Sequence, residues 1–173
     1  MGQLFPCERV GLELIEDAPY HSRNSIDLPI APHQLWEVLT DVEAWPHWFR
    51  IITKATWTSP GPPRVGSTRS IEVVGGSRGT EEVIVWNPYH HFAVRLIESS
   101  RQATGASAEE YRIETTEHGC RLRWTTARRP RKPPSRLTRV LARPRIRRSN
   151  RRALSRLRKY VTQRFGPAIT YTG

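Results

Sequence analysis

The chain has 173 residues, which suits a single domain of roughly 100–200 residues with or without a tail. Its 28 Lys+Arg and 16 Asp+Glu leave a net +12, unevenly spread. Up to Glu117 there are 16 acidic and 10 basic residues, a net of −6; from His118 to Gly173 there are 18 Arg/Lys and no acid. This excludes a uniformly basic chain of ribosomal or histone type. A mildly acidic body, rich in Trp, Val, Ile and Leu, carries a strongly basic end. A body of this length buries about two-thirds of its unfolded surface, so global disorder is not expected.

No run approaches the roughly 20 apolar residues of a membrane-spanning helix. The opening Met1-Gly2-Gln3-Leu4-Phe5-Pro6 lacks the charged and apolar regions of a signal peptide. Pro6 stands where a myristoylation signal needs Ser or Thr, so Gly2 is not expected to be lipidated. Cys7 and Cys120 are far apart and outside any paired motif. They point to a reducing, cytoplasmic setting, with contact at the inner membrane face left open by the basic end.

Residues 1–19 read as an N-terminal extension. Val10–Ile15 alternates weakly, as a short strand or a turn of helix, before Asp17-Ala18-Pro19. His21–Leu28 predicts a strand ending at Pro29. Pro32 suits the first turn of a helix carrying Leu35, Trp36, Val38 and Leu39 on one side. Val42–Phe49 predicts a second short helix, interrupted around Pro46. Six strand-like runs follow: Ile51–Thr58, Ser67–Val74, Thr80–Trp86, His91–Ser99, Ala108–Thr116 and Cys120–Ala127. The short breaks between them favour an antiparallel meander. After Pro130–Pro134, Ser135 can cap a helix starting near Arg136. Pro144 is expected to break or kink that helix, unless it opens a second one. There is no internal repeat.

At about 100° per residue, Ile146, Ala153, Leu154, Leu157, Tyr160, Val161 and Phe165 share one arc of the last helix. Arg148, Arg151, Arg152, Arg156, Arg158 and Lys159 take the other side, with no carboxylate among them. A solvated helix back is one reading. A face without acids also costs self-repulsion unless anions help, so an anion-binding face is the other. Anionic phospholipid headgroups are the favoured partner; nucleic acid is less favoured, because the aromatic residues cluster in the body rather than between the arginines.

The stretch Ser25-Ile26-Asp27-Leu28-Pro29-Ile30-Ala31-Pro32-His33-Gln34-Leu35-Trp36-Glu37-Val38-Leu39-Thr40-Asp41-Val42-Glu43-Ala44-Trp45-Pro46-His47-Trp48 resembles the opening of the START-like (SRPBCC) superfamily. It is most similar to the polyketide cyclase/dehydrase and lipid transport branch. Val65-Gly66-Ser67, Glu81-Glu82 ahead of Asn87-Pro88, and Gly119-Cys120-Arg121-Leu122-Arg123-Trp124 follow the same rhythm. The resemblance covers residues 20–165 and leaves 166–173 as a C-terminal tail. It implies an α+β helix-grip fold: a curved seven-stranded antiparallel sheet around a long C-terminal helix, with two short helices after the first strand. It also implies a cavity for an apolar ligand between sheet and helix.

Strand parity names side chains that would face such a cavity. Arg69 shares a face with Ile71 and Val73, and Tyr111 with Ile113. Phe92 and Val94 face inward, while His91 and Arg95 face outward. With Trp48, Trp86, Trp124, Leu157 and Val161 these are the candidate ligand-binding residues; the two tryptophans from the sheet also suit a plain core. Arg69 reads either as a rim residue in water or as the anchor for a ligand carboxylate, enolate or phenolate. Both parities of Thr80–Trp86 are apolar, so Glu81 and Glu82 cannot be oriented. In cyclase members of the resembled family a cavity Arg and Tyr polarise the substrate; Arg69 and Tyr111 are the nearest counterparts. Glu82 and His47 complete the catalytic candidates. No His, Cys and carboxylate spacing suits a metal, and no nucleophile triad, P-loop or dinucleotide turn is present, so no cofactor is expected.

Three functions compete on this reading. One is binding of a hydrophobic small molecule such as a lipid, polyketide-like or aromatic metabolite. Another is a cofactor-independent cyclase or dehydratase acting on a polyketide-like substrate. The last is peripheral binding to anionic membranes through the basic helix.

Overall fold

The structure, a computed structural model, describes residues 3–166, without the side chains of 136–144. In chain order the elements are β1 (Phe5–Pro6), α1 (Glu13–Asp17), β2 (Tyr20–Leu28), α2 (Pro32–Thr40), α3 (Trp45–Trp48), β3 (Ile52–Trp57), β4 (Thr68–Val73), β5 (Ser77–Asn87), β6 (His91–Ser99), β7 (Thr104–Thr116), β8 (Gly119–Pro130) and α4 (Arg136–Phe165). The curled sheet runs β2-β8-β7-β6-β5-β4-β3, antiparallel throughout. Consecutive strands pair through short turns, and β2 returns to the last strand. This is the helix-grip arrangement that the resemblance implies, and the order of segments agrees with it.

Local chemistry explains the elements. Pro32 opens α2, and the Gln34 side chain accepts a hydrogen bond from the Ala31 N–H at 2.9 Å. Leu35, Trp36, Val38 and Leu39 turn into the body. The Trp45 indole donates to the Leu39 carbonyl at 3.1 Å, which ties α3 to the end of α2. At the β7–β8 turn Gly119 has φ +138°, and a Cβ there would stand 2.2 Å from the Leu28 carbonyl oxygen. Only glycine fits where the hairpin meets the end of β2.

The sheet is covered on its inner face and over one patch of its outer face. Its inner face, with α2, α3 and α4, encloses the main core, in which Trp45, Trp48, Phe92, Tyr111, Leu122, Trp124, Leu157 and Val161 are buried. A smaller core lies on the outer face, where Val10, Leu14, Ile15 and Ala18 pack on Ala106, Ala108 and Ala127.

Several expectations change. The N-terminal segment is part of the body: β1 adds an eighth strand beside β6, and Cys7 and Glu8 donate to Ile97 and Gly105 at 2.8 Å. Of the two readings of Val10–Ile15, the turn of helix is the one that forms, as α1. β7 begins at Thr104 and β8 reaches Pro130, longer than their apolar runs, because ladder pairing extends past the buried stretch. α4 is continuous from Arg136 to Phe165, so Pro144 neither ends nor restarts it. A proline removes one helical N–H, and a long helix tolerates that loss when its other bonds hold. Ile146, assigned to the apolar arc, is 45% exposed, so burial of that arc begins only past it. The tail lies outside the described residues apart from Gly166.

Candidate functional site: a polar pair inside an aromatic cage

Arg69 is the largest cation in the interior, with only 1% of its surface exposed. β4 aims it inward beside Ile71 and Val73, and ladder pairing sets it opposite Glu81 on β5. Its Nε donates to Glu81 Oε2 at 2.8 Å. The guanidinium lies over the Trp45 ring at 4.4 Å and over Phe92 at 5.6 Å. Cation–π contact and the carboxylate together offset the large cost of burying the charge. Among the described residues, one nitrogen, Nη1, has no hydrogen-bond partner. The Trp48 indole N–H is buried and unpartnered in the same core. Unpaired buried donors are uncommon in folded proteins and call for an explanation.

A second carboxylate lies on the same face. Glu109, Tyr111 and Ile113 alternate along β7, so parity sends them the same way. Glu109 Oε2 accepts from the Tyr111 hydroxyl at 2.6 Å and from the Trp124 indole at 3.3 Å. Arg128 approaches Oε1 only to 3.9 Å. Burial, reinforced by the nearby Glu81 charge, pushes the Glu109 carboxyl above the ordinary carboxylate range. Burial, with the Glu109 charge next, holds the Tyr111 phenol well above its usual value, so Tyr111 is a donor and not a base. The ring of Tyr111 stacks between Phe92 and Trp124, with centroids at 5.7 and 6.0 Å. The arrangement can grip an oxygen-bearing ligand atom with cationic and neutral donors. It also keeps a half-buried carboxyl whose proton is held more tightly than usual.

The other sequence-derived residues divide. Trp48, Phe92, Val94, Ile113, Trp124, Leu157 and Val161 are buried in the main core, and Ile71, Val73 and Trp86 are half-buried against it. The acid partner of Arg69 is Glu81 and not Glu82. Glu82 points to the outer face, 3.1 Å from Arg95 and 2.6 Å from Arg9. The register of β5 against β6 shifts between Val83 and Val85, so Val83 and Trp86 both turn to the main core, which is why simple alternation could not orient the two glutamates. His47 is exposed and stacks on Tyr160 of α4 at 5.4 Å, so it lies outside the interior polar group. Glu109 escaped the candidate list, although its parity with Tyr111 was legible. Trp45 escaped too; nothing in its spacing announces the cation it faces.

Two open pockets lie at the surface. One, of about 340 Å³, separates Gly11 and Leu12 from β5 and Arg95. The other, of about 460 Å³, is an open cleft among Arg147, Arg148, Arg151, Arg152 and Ser155. In the space between the inner face and α4, the Trp45 and Phe92 rings stand against Arg69. Among the described residues, no helix is long and apolar enough to cross a membrane.

Comparison with known proteins agrees with this architecture. Residues 20–162 match the family model described as polyketide cyclase / dehydrase and lipid transport. The chain belongs to that family. Within the reach of sequence alone, an uncharacterized protein of Mycobacterium tuberculosis is 48% identical over 165 residues, which is 95% of this chain and 98% of that one. An uncharacterized protein of Mycobacterium bovis matches to the same degree. Among solved structures, the Zhui aromatase/cyclase from Streptomyces sp. R1128 superposes with TM-score 0.68 at 18% identity, over 84% of this chain and 94% of that one. Ara h 8.0201 superposes with TM-score 0.64 at 10% identity, over 83% of this chain and 98% of that one. At such identities the likeness shows the shared fold alone. The family's fold thus hosts, in this member, a caged Arg69–Glu81 pair and a Glu109–Tyr111 pair.

Proposed function

We propose that the protein binds a largely hydrophobic small molecule between the sheet and α4, and orients it by an oxygen held at Arg69. The observation that carries this reading is Arg69 Nη1: a buried guanidinium nitrogen facing an aromatic interior with no partner of its own. A carboxylate, enolate or phenolate oxygen satisfies it, and the rings supply apolar contact. Entry requires side chains to move aside. The half-buried Phe49, Trp57, Ile71, Val73 and Trp86 are the ones least committed to the core.

Native mass spectrometry of the purified protein, with calorimetric titration of 1-anilinonaphthalene-8-sulfonate as an aromatic anion, tests the reading. One-to-one binding is expected. Removing Arg69 and its acid together, in Arg69→Met with Glu81→Met, is expected to weaken it by about tenfold or more, since a hydrogen bond to a charged group contributes about 1.5–3 kcal/mol. Undiminished binding in that folded double variant would overturn the proposal, as would no bound mass and no probe binding in the wild type.

The Glu109–Tyr111 pair favours a second reading, a cyclase or dehydratase. In it Arg69 steadies the enolate left when the aldol formed by cyclisation loses its α-proton to solvent; the C=C bond closes as the C–O bond breaks, and protonated Glu109 gives its proton to the hydroxyl, which leaves as water. On polyketide-like β-keto thioesters, Glu109→Gln would abolish turnover while leaving probe affinity within about twofold. The wild-type rate would fall on the alkaline side as Glu109 ionises. Turnover that survives Glu109→Gln rules this reading out.

A further inference from the structure

The fold sorts the basic residues into two groups. Those of β8 are neutralised by the body: Arg121 meets Asp27 at 2.6 Å, Arg123 meets Glu114 at 2.8 Å, and Arg129 meets Glu8 at 3.6 Å. Those of the middle of α4 are not. Among the described residues, no acidic side chain pairs with Arg147, Arg148, Arg151, Arg152 or Lys159. At the far end Arg164 is held by Glu37 and by Asp41, at 3.4 Å from the latter. Among the described residues, the densest run of uncompensated charge thus lies in one part of one helix.

That part also stands clear of the body. Arg145, Ile146, Arg147, Arg148 and Ser149 are all exposed, and five consecutive residues exceed a turn of about 3.6, so α4 is bare on every side there. Beyond it, Asn150 docks on Ser22 at 3.1 Å, and Ala153 and Leu154 enter the core. Arg151 and Arg152 stay exposed. The four arginines and Ser155 surround the cleft of about 460 Å³, open to solvent and ringed with phosphate-binding side chains.

We propose that this arginine-ringed stretch of α4 docks the protein on a bilayer surface rich in anionic phospholipids. Charge complementarity supplies the attraction, and the cleft accepts a phosphate headgroup. Two features favour a bilayer over nucleic acid. The described aromatic residues of α4, Tyr160 and Phe165, pack towards the body, so the basic stretch has no stacking platform for bases. Ile146, half-exposed between Arg145 and Arg147, is an apolar group that the headgroup boundary accepts and a phosphate backbone does not use. The proposal stands apart from the interior site and does not depend on what that site binds.

The test is co-sedimentation of the full chain with vesicles of phosphatidylcholine alone, and with about three-tenths phosphatidylglycerol. Binding is expected only to the anionic vesicles, and it should weaken as salt shortens the Debye length. The triple variant Arg148→Gln, Arg151→Gln, Arg152→Gln should lose on the order of a hundredfold in affinity. A control that removes the same charge from the exposed body, Arg50→Gln, Lys54→Gln, Arg64→Gln, should stay within about twofold of wild type. Equal binding to neutral vesicles, or equal losses in the two variants, overturns the proposal. So does binding to a DNA or RNA duplex without binding to anionic vesicles, which would make the surface a nucleic-acid site. The lipid and salt series uses unaltered protein and decides the matter if a variant fails to fold.

Discussion

Arg69 and Glu81 are a pair whose members cannot be judged singly. Removing either leaves the other charged and buried, at a cost of about 3–5 kcal/mol. Arg69→Met alone should therefore lower the free energy of unfolding by that amount in urea melts, whereas the double replacement with Met should be far milder. If the single variant costs no more than the double, the pair is not acting as one unit. Glu109 makes a separate, pH-dependent prediction. Its carboxyl is raised in the fold, chiefly by burial. At low pH both folded and unfolded states hold the proton. As pH rises the unfolded chain ionises first, so the folded state loses relative stability until its own raised value is passed, and the cost then persists. Glu109→Gln removes that cost. Its melting temperature should match wild type in acid and exceed it increasingly towards neutral pH. A constant difference across pH would show that Glu109 is not carrying a raised pKa.

Elements were legible where pattern and burial agree. The α2 stripe, the six long strands and the inward parity of Arg69, Phe92 and Tyr111 all follow from periodicities of 3.6 and 2. Legibility failed for two physical reasons. Where the register of a strand shifts, alternation is lost, and Glu81 could not be told from Glu82. Where an element is held by partners distant in sequence, its own residues say little: β1 exists because the edge of β6 receives it, and α1 because alanines of β7 and β8 leave room for it. The aromatic cage belongs to the same class, since Trp45 reaches Arg69 only through the path of the chain. The β7–β8 turn gives this scale its prediction. Gly119→Ala must accept both a positive φ and a collision with the Leu28 carbonyl, at a cost of about 2–3 kcal/mol in chemical denaturation. At the other side of the core, Leu157 is fully buried, and Leu157→Ala should cost about 2–5 kcal/mol by the same measurement.

At the scale of the molecule, the N-terminal segment closes the outer face as α4 and the short helices close the inner one. Arg9 and Arg95 converge on Glu82, and Arg95 also donates to the Val10 carbonyl at 3.1 Å, so the segment is fastened by polar as well as apolar contacts. A chain truncated before Tyr20 should expose the alanine strip of β7 and β8 and melt at lower temperature, by about 2–4 °C for each kcal/mol lost. An unchanged melting temperature would show that the segment merely rests on the sheet. The interior carries one more consequence. Trp45 and Trp48 lie 4.8 Å apart at 41°, Trp124 stands 6.2 Å from Trp48, and Trp36, Trp57 and Trp86 form a second group around Phe92. With indoles on both sides of Arg69, the molecule is its own optical probe: whatever enters the cage must shift its ultraviolet emission and its near-ultraviolet dichroism, with no label attached.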